Sequence, residues 1–172
     1  MAIASFNKPK TDNWELITTS SPSGLTTITL SSIDTFYQKL YLTWNLTSST
    51  SNSQINLTIN NDTGNNYLST GIAPTSASTG AAFAADAAKV DKHILHITGV
   101  SSTAWIGYVE ISDASTNYAK LLHSEAVASG GTYTDVTQAN GIYEASAALS
   151  RLDIVTSGSS VSGTVKLYGV RN

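Results

Sequence analysis

The chain has 172 residues, a formal net charge of −3 and no cysteine. Charged residues are only 12% of it, about half the globular norm, so serine and threonine carry most of the polarity. This composition excludes disulfides and thiolate metal sites, offers no basic footprint for nucleic acid, and has no apolar run long enough for a membrane-spanning helix. Met1 to Phe6 lacks the apolar core of a signal peptide. The length suits one domain with a substantial core, and the abundance of Thr and Tyr favours pleated, half-buried surfaces. An all-β fold is predicted.

Residues 1–13 have no periodicity, and Lys8-Pro9-Lys10 favours extended backbone. They read as an extended N-terminal arm, expected to lie on a neighbouring subunit, ahead of one β-sandwich domain over 14–172. A first strand runs from Trp14 to Thr19 with Trp14, Leu16 and Thr18 on one face. The turn Ser21-Pro22-Ser23-Gly24 leads to a second strand, Leu25 to Ser31. Phe36 to Leu46 is longer, with Leu40, Leu42, Trp44 and Leu46 inward and Lys39, Tyr41, Thr43 and Asn45 outward. A polar loop, Thr47 to Ser53, precedes the cleanest alternation in the chain, with Ile55, Leu57 and Ile59 inward and Gln54, Asn56 and Thr58 outward. These two runs are expected to pair as antiparallel neighbours.

Asn60 to Tyr67 (NNDTGNNY) is dense in side chains that bond their own backbone and tolerate left-handed conformations. An oxygen-rich loop of this kind suits calcium, but it holds one carboxylate and lacks calcium-hand spacing, so it reads as a turn. Residues 71–92 are Gly- and Ser-rich, then Ala-rich, with a short helix or a covering loop expected around 81–88. Further strands follow at His93–Thr98, Ala104–Ser112 and Tyr118–Ala128, with one or two across Thr132–Ala148. Two more close the chain: Leu152 and Ile154 alternate in one, Val165 and Leu167 in the other. Between them Gly158 and Gly163 offer positive φ. About ten strands with polar turns are the pattern of a sandwich or barrel.

Catalytic constellations are not legible. His93 and His96, three apart on a strand, are expected on opposite faces, where they cannot share a metal. His123 and Glu125 share a face and could orient a base. The only crowded serine segment, G-S-S-V-S-G at 158–163, is not a nucleophile elbow. Glu110 with Asp113, or Glu144 with Asp153, are the carboxylate pairs to weigh for glycoside hydrolysis. The sequons at Asn45, Asn56 and Asn61 are expected by composition alone. Tyr37, Tyr41, Trp105, Tyr108 and Tyr133 could line a sugar-binding face, whereas the alternation around Trp14, Trp44 and Trp105 is that of core residues. No catalytic, cofactor or metal residue is assigned, and no enzymatic activity is expected.

The ordered motifs F-Y-Q-K-L-Y-L-T-W, I-N-L-T-I-N-N-D-T-G-N-N-Y, I-S-D-A-S-T-N-Y and G-T-V-K-L-Y-G-V, over residues 33–170, resemble those of small tailed-bacteriophage virion proteins. The resemblance departs before the last hairpin, where Gly141-Ile142-Tyr143 is the only trace of an aromatic-rich segment. It implies a jelly-roll sandwich and a non-enzymatic structural role. The expected role is a capsid decoration (cement) protein on the capsid exterior, binding the major capsid protein and self-associating, with a trimer favoured. The alternative is a tail-fibre or receptor-binding module recognising a host glycan or surface protein. No repetitive stem of the kind fibres carry is visible, and neither nucleic acid nor membrane is an expected partner.

Overall fold

Alternating apolar and polar side chains become strands wherever one face finds a core. The computed structural model describes residues 14–48, 54–75, 78–84, 89–97, 104–130 and 133–171. These hold twelve strands and no helix: β1 (Glu15–Ser20), β2 (Thr27–Leu30), β3 (Tyr37–Ser48), β4 (Gln54–Ile59), β5 (Tyr67–Thr75), β6 (Ser78–Ala84), β7 (His93–Ile97), β8 (Ala104–Ile111), β9 (Lys120–Gly130), β10 (Tyr133–Tyr143), β11 (Leu152–Ser157) and β12 (Val161–Arg171). They form two antiparallel sheets, one ordered β1-β12-β3-β8-β9-β10-β5-β6 and the other β2-β11-β4-β7. The arm expected at 1–13 lies outside the described residues.

The inward faces match the period-two reading. Leu40, Leu42, Trp44 and Leu46 of β3 pack with Val165, Leu167, Trp105, Val109 and Ile111 of the strands on either side. Ile28 and Leu30, Ile55, Leu57 and Ile59, and Leu152 and Ile154 complete the core from the smaller sheet. The expected pairing of β3 with β4 is corrected: β3 pairs with β12 and β8, while β4 pairs with β11 and β7. Thr47 to Ser53 therefore links strands of different sheets. The last two strands, β11 and β12, likewise belong to different sheets.

Three further expectations are corrected. The Ala-rich segment supplies strand β6 through Ala84, paired with β5, because a sheet edge offered hydrogen bonds that an isolated short helix could not match. Residues 85–88 lie outside the described residues. Trp14 and Leu16 are 38% and 52% exposed; a bulge between Leu16 and Thr18 turns Ile17 towards the core and leaves them on the outer face. Finally, a bulge in the β4–β7 ladder sets His93 opposite Leu57 and His96 opposite Ile55, so both imidazoles enter the core on one side.

The Asn-rich corner between β4 and β5 behaves as a turn. Asn60 and Asn61 take φ of 54° and 57°, and the Asn60 amide ties the corner to Ala148, Ser150 and Arg151. Asp62 accepts bonds from the Gly64 N–H, the Asn66 amide and the Tyr143 hydroxyl at 2.8–3.0 Å. Burial pushes its carboxyl pKa up, but these bonds from Asn66, Gly64 and Tyr143 outweigh that and hold it below the ordinary value. The carboxylate that would have led a calcium site is thus committed to the fold. Among the described residues no cluster of three metal-ligating side chains occurs.

A second internal tie is Lys120, fully buried, whose ammonium donates to the carbonyls of Thr116, Tyr118 and Ala147 at 2.6–2.8 Å. It pins the β8–β9 turn to the irregular stretch before β11. Desolvation lowers its pKa against the opposing pull of Asp113. Lys120→Met should cost about 2 kcal/mol, since three carbonyls lose a charged donor while the stem is replaced in kind. Chemical denaturation measures it; an unchanged midpoint would show that the ammonium is dispensable.

Candidate functional site

The outer face of the larger sheet is where residues from distant parts of the chain converge. Strand pairing aligns Tyr168, Tyr41, Glu110, His123 and Asn140 in one row across β12, β3, β8, β9 and β10. The next row is Lys166, Thr43, Tyr108, Glu125 and Gln138. A third contains Ile106, Val127 and Val136 on adjacent strands, 56%, 41% and 38% exposed. On a water-facing sheet such a position is ordinarily polar.

The aromatic side chains of the first two rows form a ladder. Trp14 leans on Tyr41 with ring centroids 5.5 Å apart, Tyr41 stacks on Tyr108 at 5.1 Å, and Tyr108 meets the His123 ring at 6.2 Å. Around the ladder the polar groups hold one another in place. His123 Nδ1 lies 2.9 Å from Asn140 Oδ1, an acceptor, which puts the proton on Nδ1. Glu125 accepts from the Gln138 amide at 3.2 Å and stands 3.8 Å from His123 Nε2. Glu110 faces Lys39 at 3.9 Å. Burial, and then the charges of Glu110 and Glu125, push the Tyr41 phenol above its ordinary pKa; Tyr108 is raised by burial and by its hydrogen bond to Glu125. Both phenols therefore keep their protons as donors at neutral pH. Open depressions follow the ladder: one of about 420 Å³ between Trp14, Tyr41, Tyr168 and Glu110, and one of about 610 Å³ beyond Glu110, floored by His123, Asn140, Leu121 and Ile142.

The sequence-level candidates divide cleanly. Tyr41 and Tyr108 are on this face; Tyr37 and Trp105 are buried in the core, and the Tyr133 side chain lies outside the described residues. Trp14, read as core, is the outermost ring of the ladder. The His123–Glu125 pair is brought together, but the serines of the 158–163 segment are engaged elsewhere, Ser159 with Ser48 and Ser162 with the Gly24 N–H. Of the carboxylate pairs, Glu144 is bonded to Lys89, and buried Asp153 is held by Arg151 and Thr29 on the smaller sheet. Asp113 occupies a tight turn with φ of 59°. Tyr168, Gln138 and Asn140 were not singled out from sequence; only strand order brings them alongside Tyr41, Glu125 and His123.

His93 and His96 take no part in this face. His93 bonds Ser69 and Ser124 through its two ring nitrogens, and His96 bonds Thr137. The chain matches no protein-family model, no curated protein and no solved structure.

Proposed function

We propose that the protein is a non-enzymatic structural component of a bacteriophage virion: a jelly-roll decoration protein on the capsid exterior that binds the major capsid protein and itself. The motif order supports the virion class. The winding supports the jelly roll, because the chain crosses between the sheets at β1→β2, β2→β3, β3→β4, β4→β5, β6→β7, β7→β8, β10→β11 and β11→β12. The observation that carries a docking role is the aliphatic row Ile106–Val127–Val136, with Ile72 one row away and 50% exposed. Apolar side chains aligned on three adjacent strands gain by exclusion from water when a protein surface closes over them.

Copy number in purified virions is the test, with hundreds expected for decoration and a few to tens for the rival placement in a tail. Val127→Asp should leave the isolated domain's stability within about 1 kcal/mol, yet abolish self-association or capsid attachment. Full attachment by that variant would remove this row from the interface. Hydrolysis of polysaccharide, ester or peptide substrates, abolished by His123→Ala or Glu125→Gln, would overturn the non-enzymatic reading.

A further inference from the structure

We propose that the aromatic ladder of the larger sheet is a binding site for a short neutral oligosaccharide. This goes beyond the structural role above and does not depend on where in a virion the chain sits.

A pyranose ring has an apolar face of C–H groups and an edge of hydroxyls, so it is recognised by an exposed aromatic ring with hydrogen-bonding groups beside it. The face supplies both. Trp14 offers an exposed ring surface at the end of the ladder, propped by half-buried Tyr41, which is itself stacked on half-buried Tyr108. Glu110 and Glu125 lie diagonally across β8 and β9, and each is oriented by a neighbour: Glu110 by Lys39, Glu125 by Gln138. A carboxylate accepts from two hydroxyls at once, and Asn140 and Gln138 add an amide donor and acceptor. Because these groups already bond one another, little side-chain order need be imposed on binding.

The dimensions agree. From Tyr168 to Asn140 the row crosses four inter-strand steps, about 19 Å at sheet spacing, which suits three or four sugar units. The depressions of about 420 and 610 Å³ share Glu110 as a common wall and fall within the size range of small-ligand sites. Charge narrows the class. Lys39 already faces Glu110, and the exposed Lys166 at the β12 end of the second row stands three strands away from the Glu125 carboxylate on β9. An acidic sugar lying over β8 and β9 would therefore meet the carboxylates of Glu110 and Glu125, whereas a neutral one finds acceptors and donors there.

The experiment uses the full chain against neutral tetrasaccharides (cellotetraose, maltotetraose, chitotetraose) and an acidic one, tetragalacturonate. Intrinsic fluorescence is informative, because Trp14 is exposed while Trp44 and Trp105 are buried. Saturable change with at least one neutral probe and none with tetragalacturonate is expected, and Trp14→Phe should remove most of the signal. Tyr41→Ala and Glu125→Gln should weaken binding at least tenfold by calorimetry while melting within about 4 °C of the parent. Three results would overturn the site: no saturable binding of any neutral probe, preferential binding of tetragalacturonate, or binding untouched by Tyr41→Ala. Virion copy number reports on the decoration role alone, so the two proposals fail separately.

Discussion

Trp44→Ala is expected to lose about 3–5 kcal/mol of folding stability, the cost of truncating a large core side chain. Tyr41→Ala, on the other face of the same strand, should lose about 1 kcal/mol. Trp44 is 2% exposed and lies directly opposite Gly107 on β8. A Cβ at Gly107 would stand 2.4 Å from the Trp44 ring, so the indole occupies the space that any larger residue would claim. Removing it leaves a void bounded by two β-sheets, which cannot collapse far without breaking their ladders. Among the described residues its indole N–H has no hydrogen-bond partner, so the loss is one of packing, and Trp44→Phe should cost less than half as much. Thermal melts compare the three variants. If Tyr41→Ala melts well below Trp44→Ala, the inner and outer faces of β3 have been exchanged, and the binding face with them.

Both faces of β3 and the inward face of β4 were legible because side-chain alternation is a property of a single strand; Asn56 and Thr58 on the other side of β4 are buried rather than water-facing. Which strand lies beside which is not: Leu42 and Leu57 both read as inward, and that is equally true of neighbours in one sheet and of opposed sheets. Local irregularities were also invisible. Alternation put Trp14 with the core, and the bulge after Leu16 places it outside; strict alternation separated His93 from His96, and the β4–β7 bulge brings them to one side. In the Ala-rich run, helix propensity of a few tenths of a kcal/mol per residue yields to ladder hydrogen bonds along β5. The candidate site was half legible for the same reason. Tyr108 with Glu110, and His123 with Glu125, share faces within their own strands. Their meeting with Tyr41, Tyr168 and Asn140 depends on the order β12-β3-β8-β9-β10, which local pattern does not encode.

Acidification should destabilise the fold steeply, and His93 and His96 are the cause. Both are fully buried between the sheets. The Cβ that Gly141 lacks would stand 2.5 Å from His93 Nδ1, so that ring occupies a space opened by a glycine. Ser124 donates to the Ala139 carbonyl and so accepts from His93 Nε2; Ser69 accepts the Ile94 N–H and donates to Nδ1. Every group is satisfied by a neutral ring protonated at Nε2, and the bonded partners are hydroxyls rather than carboxylates. Desolvation holds the pKa of His93 down at about 3, with a smaller push from His123, and desolvation holds that of His96 at about 4. In the unfolded chain both titrate near 6.5. Between those values the unfolded state binds more protons, so stability is complete above about pH 6.5 and falls as pH drops towards 4 and 3. At pH 5 each histidine should contribute about 2 kcal/mol of that loss, close to 4 kcal/mol together, a large part of a typical domain's stability. Urea midpoints taken from pH 7 to pH 5 should shift accordingly, with a slope near pH 5 corresponding to about two protons taken up on unfolding. His96→Leu, which removes one of the two groups, should halve that slope. A midpoint unchanged between pH 7 and pH 5 would mean that the imidazoles reach water or a counter-charge in the folded protein, and that the core around Gly141 is not closed.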